Sequence, residues 1–209
     1  MKYIGMPCAM WLIFENSFQK KLTEIFKIEP NTAKIITKNA KAKYKEIIAD
    51  LPEFEKGDRF ITNTVNCSML CAFVLCMPTR PEVEKLTEYY TGAMMTPAMK
   101  IFCRMSGKQT FSKKKIQSLK KTEKARFADR NPFSWNMKLF EYPDGSGYEA
   151  RFSQCGICNL TKKYGLFDLT PAMCKLDYTM SEAGKTSTFI REKTIASGGP
   201  YCDCGYKKK

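Results

Sequence analysis

The residues best suited to chemistry are cysteines and carboxylates that stand close together in the last third of the chain. Histidine, the commonest general base and a frequent metal ligand, does not occur among the 209 residues. Cysteine and carboxylate side chains must therefore carry any nucleophile, base or soft metal ligand, and the sequence predicts thiol chemistry. The residues concerned are Cys155, Cys158, Cys174, Asp177, Arg191, Thr194, Gly198, Gly199, Cys202 and Asp203.

One set of these residues has the spacing of a small catalytic or binding site. Cys174 and Asp177 are three residues apart, which places both side chains on one face of a helix. Asp203, beside Cys202, is expected to bring a second carboxylate to the same place. Arg191 is expected to pair with either acid or to bind a substrate carboxylate through two hydrogen bonds. A purely structural arginine and aspartate pair among buried cysteines explains the same residues.

The Cys155-Gly156-Ile157-Cys158 motif has the spacing of a redox pair. It follows a predicted strand and is expected to open a helix, where the helix N-terminus lowers the pKa of a thiol. However, the preceding strands form a hairpin rather than a βαβ unit, and only about fifty residues follow the motif. A thioredoxin-like function is therefore a minor alternative.

A zinc site is a second alternative for the cysteines. Cys155, Cys158, Cys202 and Cys204 would supply four thiolates, which suit tetrahedral zinc. Only one residue separates Cys202 from Cys204, whereas paired zinc ligands usually stand two to four residues apart. The sequence therefore favours buried structural cysteines over a metal site, and we expect no cofactor.

The C-terminal region resembles the L-2-amino-thiazoline-4-carboxylic acid hydrolase family. The resemblance covers about the last 60 residues and lies in the segments RFSQCGICNLTKKYGLFDLTPAMCKLDY and STFIREKTIASGGPYCDCGY. Both Cys158 and Cys204 depart from the family pattern. By matching positions, the motif residues of the family are Cys155, Cys174, Asp177, Arg191, Thr194, Gly198, Cys202 and Asp203.

The resemblance implies a hydrolase that acts on a small cyclic amidine bearing a carboxylate and opens the ring to a carbamyl-cysteine. The electrophile would be the ring carbon between nitrogen and sulfur, attacked by a thiolate or an activated water. Cys155 or Cys174 would be the nucleophile. The catalytic set would be Cys155, Cys174, Asp177, Cys202 and Asp203, and the substrate-binding set Arg191, Thr194 and Gly198.

The competing function is a non-catalytic protein that binds a small ligand or zinc in the same pocket and an acidic partner on a basic face. The net charge is +14, and the lysines concentrate at 34–45, 113–124 and 207–209. Two of these stretches also carry a helical apolar stripe, which indicates that the lysines form a solvated face. Because no nucleic-acid-binding motif accompanies them, we do not expect a nucleic-acid partner.

The cellular setting is predicted from what the chain lacks. No secretory signal is evident at its start, and the apolar run 69–77 is too short to span a membrane. We therefore expect a cytoplasmic protein without a membrane segment, in which the cysteines are predominantly free thiols. The oligomeric state has no sequence signal.

The elements that must position the site differ between the two halves of the chain. In the first half, apolar residues recur at spacings of three and four, which is typical of helices. These patterns predict helices that begin near Asn31, Thr79 and Ser112. The helical apolar patterns run through 14–25, 36–51, 65–76, 82–95 and 116–127, and the last of them ends with Phe127.

From Trp135 onward the apolar period changes to two, which predicts a hairpin of strands 135–140 and 148–152. The segments 186–191 and 201–206 also fit strands, with short helices near 155–163 and 171–178. The predicted class is α+β, with a helical N-terminal half packed against a small antiparallel β-sheet of about four strands. We expect one domain over 1–209, with a soft boundary near Asn131 between a mainly helical part, 1–131, and a β-rich, cysteine-rich part, 132–209.

Overall fold

The computed structural model describes residues 1–126 and 131–209, and it confirms the α+β class. The first half is helical: α1 Met6–Phe26, α2 Pro30–Asp50, α3 Ile61–Cys76, α4 Val83–Met94, α5 Pro97–Gly107 and α6 Lys113–Arg126. The second half mixes strands and short helices: β1 Asn136–Glu141, β2 Gly147–Gln154, α7 Gly156–Lys163, α8 Thr170–Cys174, α9 Leu176–Gly184, β3 Ser187–Ile190 and β4 Cys202–Lys208. Phe127, the predicted last residue of the apolar stripe of the sixth helix, lies outside the described residues.

The helical core forms because α1 and α2 bury their apolar stripes against α3, while α4 packs against α1. Phe18 of α1 is fully buried, and its ring packs on Phe73 of α3 with centroids 5.0 Å apart. Trp11 stacks on the same Phe73 ring at 5.5 Å. Helix α3 itself is buried along most of its length, as its nearly continuous apolar sequence predicts.

Three helix starts differ from the sequence prediction. Helix α2 is capped by Glu29, whose carboxylate accepts the amide N–H groups of Asn31 and Thr32 at 2.8 and 3.1 Å, so Asn31 is not the cap. Helix α4 begins at Val83 without a side-chain cap, so the predicted capping box from Thr79 does not form. Helix α5 was not predicted, because its apolar residues do not form a long buried stripe.

The sheet has four antiparallel strands in the order β1-β2-β4-β3. In the pairing of β2 with β4, Cys202 stands opposite Phe152 and Cys204 opposite Ala150. Because side chains alternate along a strand, Cys202 and Cys204 share the face that packs against the helices. The residue between them, Asp203, points to the opposite face of the sheet.

A buried ion pair joins the helical layer to the start of the sheet. Arg126 Nη1 donates to Asp58 Oδ2 at 2.9 Å, and the Ser134 hydroxyl donates to the same oxygen at 2.5 Å. The other carboxylate oxygen accepts the Phe60 amide at 2.8 Å. The side chains of Asp58 and Arg126 are only 1% and 4% exposed, so neither charge is well solvated.

We expect Asp58→Ala to lower the free energy of unfolding by about 3–5 kcal/mol, because it removes the buried carboxylate that pairs with the Arg126 guanidinium and accepts from Ser134 and Phe60. The matched control is Asp168→Ala, which removes a carboxylate from an ion pair with Arg80 whose side chains are 65% and 48% exposed. That change should cost less than about 1 kcal/mol. Urea denaturation of the two variants measures the difference, and equal losses would contradict the assignment.

Candidate active site

A cavity of about 470 Å³ lies between the helices and the inner face of the sheet. Its walls are mostly apolar and include methionines and aromatic rings from both layers, among them Met94, Phe14, Trp135 and Phe152. A small number of polar side chains interrupts these walls. An apolar cleft with a few convergent polar groups is the usual form of a small-molecule site.

Five residues of the C-terminal cysteine and carboxylate set line this cavity, and Cys204 lines it with them. The five are Cys155, Cys174, Asp177, Arg191 and Cys202, which the structure brings together from the start of α7, the end of α8, α9, the residue after β3, and β4. Five other residues of the set lie outside the described lining: Cys158, Thr194, Gly198, Gly199 and Asp203.

Asp203 does not bring a second carboxylate to the cavity. Its side chain lies on the other face of β4 and accepts the amide N–H groups of Glu192 and Lys193 at 3.2 and 2.7 Å. The expectation of a shared site with Cys202 is therefore wrong, because consecutive residues of a strand point to opposite faces. In this position Asp203 fixes the chain that follows Arg191.

Thr194 and Gly198 shape a loop rather than the cavity wall. The Thr194 hydroxyl accepts the Ser197 amide at 3.0 Å, and Gly198 has a φ of 82°, which is the left-handed region that favours glycine. This loop directs the Ile195 amide toward Cys202 Sγ at 3.3 Å. The two residues thus act on the cavity through the orientation of Cys202.

Arg191 is bound by its neighbours on the protein. Its Nη1 donates to Asp177 Oδ2 at 2.8 Å, and its Nη2 donates to the carbonyl oxygen of Cys174 at 2.5 Å. The rings of Tyr178 and Phe189 lie 5.4 and 5.0 Å from the guanidinium carbon. Because only 5% of the Arg191 side chain is exposed, the pair with Asp177 is the main role its geometry allows.

Asp177 has one oxygen fixed by Arg191, and Oδ1 has no hydrogen-bond partner within residues 1–126 and 131–209. Although 45% of the side chain is accessible, burial raises the pKa of Asp177, and the Arg191 charge only partly opposes that rise. The two observations agree because the accessible surface of Asp177 faces the cavity rather than bulk water. A carboxyl group with a raised pKa is suited to proton transfer.

Cys155 stands directly before the first turn of α7. A Cβ at Gly156 would lie 2.2 Å from the carbonyl oxygen of Phe133, so glycine is required for α7 to begin so close to that segment. Hydrogen bonding by the Cys158 thiol is the main cause that lowers the pKa of Cys155, and the amides of Cys158 and Ile157 contribute, while burial opposes them. The interaction with Cys155 raises the pKa of Cys158.

The other cavity cysteines are held as thiols. Burial raises the pKa of Cys174 to about 12 even though Arg191 opposes the shift. Burial also raises the pKa of Cys202 and of Cys204. Among these cysteines the arrangement favours the thiolate form at Cys155 alone, and a thiolate is the nucleophilic form of cysteine.

The zinc alternative has no further support in the geometry. In the part of the chain that the structure describes, no three cysteine or carboxylate side chains are arranged to hold a metal ion. Cys158 lies outside the cavity lining, whereas Cys155, Cys202 and Cys204 belong to it. Zinc binding at these four residues stays the alternative that the sequence disfavours, and metal analysis of the purified protein tests it.

Sequence reasoning missed the polar residues that the helices contribute. Asn63, Asn66 and Cys67 of α3 and Tyr90 of α4 line the cavity. The Oδ1 atom of Asn66 is buried and has no hydrogen-bond partner among the described residues, and Cys67 Sγ lies 3.6 Å from the Tyr90 hydroxyl. The available signal was the helical spacing of Asn63, Asn66 and Cys67 on an otherwise apolar helix.

No described helix is both long and apolar enough to cross a bilayer.

Comparison with known proteins gives one match. The family model described as L-2-amino-thiazoline-4-carboxylic acid hydrolase matches residues 65–206, which is more than half of the chain and includes every residue of the C-terminal set. No curated protein and no solved structure matches the chain significantly.

Proposed function

The chain belongs to the L-2-amino-thiazoline-4-carboxylic acid hydrolase family, and on that premise we propose that it hydrolyses a small cyclic amidine with Cys155 as nucleophile and Asp177 as proton carrier. The substrate that the family name indicates is the 2-amino-thiazoline ring with a carboxylate. The observation that carries the proposal is the placement of Cys155 and the Asp177–Arg191 pair on the wall of one largely apolar cavity.

Cys155 is the better of the two cysteines named as nucleophiles. Its neighbours in the first turn of α7 favour the thiolate, whereas burial raises the pKa of Cys174 to about 12. At neutral pH a thiol with a pKa near 12 is almost entirely protonated. Cys174 therefore serves the site through its carbonyl oxygen, which holds Arg191.

In the first step the Cys155 thiolate adds to the ring carbon between nitrogen and sulfur. The bond from this carbon to the ring sulfur then breaks, and the sulfur leaves with a proton from Asp177. A free thiol and a covalent isothiourea on Cys155 result. The carbon–nitrogen bond of the ring stays intact, since a carbamyl-cysteine retains it, so the bond that opens is carbon–sulfur.

In the second step water adds to the carbon–nitrogen double bond of the isothiourea, one water proton goes to that nitrogen, and the Cys155 thiolate leaves. Asp177, now a carboxylate, accepts the other water proton, which restores both groups and releases the carbamyl product. The sum is the substrate plus one water. A carboxyl group with a raised pKa suits both transfers, because it exists in the acid and base forms near the working pH.

Arg191 is proposed to act as a positioning residue for Asp177. Its guanidinium fixes one carboxylate oxygen and leaves Oδ1 for the reacting atoms. The substrate-anchor role expected for Arg191 is less well supported, because its Nη atoms already donate to Asp177 and Cys174. An arginine held by aromatic rings and two acceptors is well suited to orientation.

The volume of the cavity also bears on the substrate. A cavity of roughly 150 Å³ is enough for benzene, whereas this one measures about 470 Å³. A 2-amino-thiazoline carboxylate therefore leaves room for water or for a substituent on the ring. Substituted cyclic amidines belong in the substrate panel for this reason.

The direct test is turnover of L-2-amino-thiazoline-4-carboxylate by the purified protein. We expect a new free thiol and the carbamyl product in equal amounts. Thiol titration measures the first, and mass spectrometry measures the second. Mass spectrometry of protein quenched during turnover should find the isothiourea on the peptide that contains Cys155. If neither this ring nor any cyclic amidine in the panel is consumed, the hydrolase proposal fails and the binding alternative is favoured.

The pH dependence gives a separate prediction. Because the thiolate of Cys155 attacks while Asp177 must carry the proton that the ring sulfur takes, kcat/KM should give a bell-shaped pH profile that rises through the lowered pKa of Cys155 and falls through the raised pKa of Asp177. Replacing Cys158 by alanine removes the main group that lowers this pKa, so the rising limb should move to higher pH by about one unit. The control is Cys76→Ala, a thiol at the far end of α3 outside the cavity lining. An unchanged limb in Cys158→Ala would contradict the role of Cys158.

A further inference from the structure

One corner of the cavity holds positive charge that no acid in the described residues balances. Arg59 and Lys115 both line this corner. The two cations are close enough to interact, since Arg59 contributes, after burial, to the lowered pKa of Lys115. Arg59 Nη1 donates to the hydroxyls of Ser118 and Thr122 at 3.3 and 3.1 Å rather than to a carboxylate.

Lys115 is in three unfavourable situations at once. It is half-buried, and its ammonium group has no hydrogen-bond or ion-pair partner within residues 1–126 and 131–209. It lies in the first turn of α6, where the helix dipole disfavours a cation. The positive charge of Arg59 is the third unfavourable factor. A bound anion would relieve all three, since it would pair with the ammonium and also interact favourably with the N-terminus of α6.

The corner is open to the reactive residues. Lys115, Tyr148 and Asp177 also line a second cavity of about 280 Å³, and because the two cavities share these residues they adjoin. The hydroxyl of Tyr148 has no partner in the described part of the chain, so it is available as a donor. Lys115, Tyr148 and Asp177 all line the cavity of about 470 Å³ as well, so a ligand beside Asp177 occupies the same cavity as Lys115.

We infer that Lys115, assisted by the Tyr148 hydroxyl, forms the subsite that binds the carboxylate of the substrate. This inference rests on the proposed function, because it assigns a recognition residue for the same carboxylate-bearing ring. It replaces Arg191 in the anchor role, which agrees with the engagement of Arg191 by Asp177 and Cys174. The corner then selects acidic rings over uncharged analogues.

The test compares two ligands that differ only in the carboxylate, L-2-amino-thiazoline-4-carboxylate and 2-amino-2-thiazoline. Binding is measured by calorimetry on the full chain carrying Cys155→Ser, so that the ring is not consumed. We expect Lys115→Gln to weaken binding of the carboxylate ligand by about 10- to 100-fold and to change binding of the other ring by less than about 2-fold. Lys115→Arg should retain most of the affinity, because it keeps the charge.

The matched control is Lys114→Gln, which removes an exposed lysine one residue away and should change neither affinity. Equal binding of the two rings by the Cys155→Ser protein, no binding of either, or equal weakening of both by Lys115→Gln would overturn the anchor. Turnover by the unaltered protein tests the proposed function separately. If the protein binds the carboxylate ligand selectively but does not turn it over, the hydrolase proposal fails and the role of Lys115 is supported. If the protein turns the substrate over but Lys115→Gln does not weaken binding, the hydrolase proposal is supported and the role of Lys115 fails.

Discussion

Replacing Cys155 by serine should reduce kcat for the thiazoline at least about 1000-fold, because a serine hydroxyl without a strong base is a poor nucleophile. The substitution exchanges sulfur for oxygen at a position that is only 8% exposed, so the protein should still fold. A steady-state assay gives the rate, and circular dichroism with urea denaturation confirms that the variant is folded. Loss of the trapped adduct should accompany the loss of rate.

The matched control for Cys155→Ser is Cys174→Ser, which alters the other candidate nucleophile on the same cavity wall. Since burial raises the pKa of Cys174 to about 12, its thiol takes no part in the attack, and kcat should stay within about 10-fold of the unaltered protein. The reverse result, an inactive Cys174→Ser protein and an active Cys155→Ser protein, would transfer the nucleophile to Cys174.

Replacing Asp177 by asparagine should lower kcat by about 100- to 10,000-fold, which is the range of general acid and base catalysis. Asparagine keeps the shape of the side chain and an oxygen that can accept from Arg191, but it cannot carry a proton. The effect should fall on kcat more than on KM, because Asp177 transfers protons in the reaction and does not anchor the ring.

The stability of Asp177→Asn separates a catalytic carboxylate from a structural one. Because the pKa of Asp177 is raised in the folded protein, its contribution to stability is complete below the ordinary carboxyl pKa and is lost as pH rises through the raised value. Neutral asparagine mimics the protonated form and keeps an oxygen that accepts from Arg191, so at neutral pH the free energy of unfolding should change by less than about 1 kcal/mol. A loss of about 3–5 kcal/mol, with activity retained, would make Asp177 and Arg191 a structural pair.

Asp203→Asn is the control for the carboxylate. Asp203 belongs to the same sequence motif but lies on the outer face of β4, where it accepts the amides of Glu192 and Lys193. Asparagine can still accept those hydrogen bonds, so kcat should stay within about 10-fold. Equal losses in the Asp177 and Asp203 variants would show that the reaction depends on the loop rather than on proton transfer.

Much of the architecture was predictable because it depends on local periodicity. The helical stripe through Phe14, Phe18 and Leu22 and the alternation after Trp135 both match elements of the structure, since burial of one face selects residues at the period of the helix or strand. The hydrogen bond from the Lys115 amide to the Ser112 hydroxyl confirms the helix start that was predicted near Ser112, which is the start of α6. Starts without a stable side-chain cap, such as that of α4, were placed less well.

The site was predictable only in part, because its residues come from separate elements. The spacing of Cys174 and Asp177 correctly indicated a shared neighbourhood, and both line the cavity. The position of Asp203 was wrong because proximity in sequence was given more weight than strand alternation, which sends neighbours to opposite faces. The same alternation places Cys202 and Cys204 together on the inner face of the sheet.

The sequence by itself determined the α+β class and the family, and the lack of histidine leaves thiol and carboxylate groups for the proposed chemistry. Only the tertiary structure decided which thiol has a lowered pKa, because a pKa depends on burial and on neighbours that approach through folding. The pKa of Cys155 is lowered and that of Cys174 is raised, and the spacing of the two residues in the sequence does not reveal this difference. The tertiary structure also brought Lys115, 40 residues earlier in the chain, to the cavity wall, since packing between helices and sheet is not encoded in any local pattern.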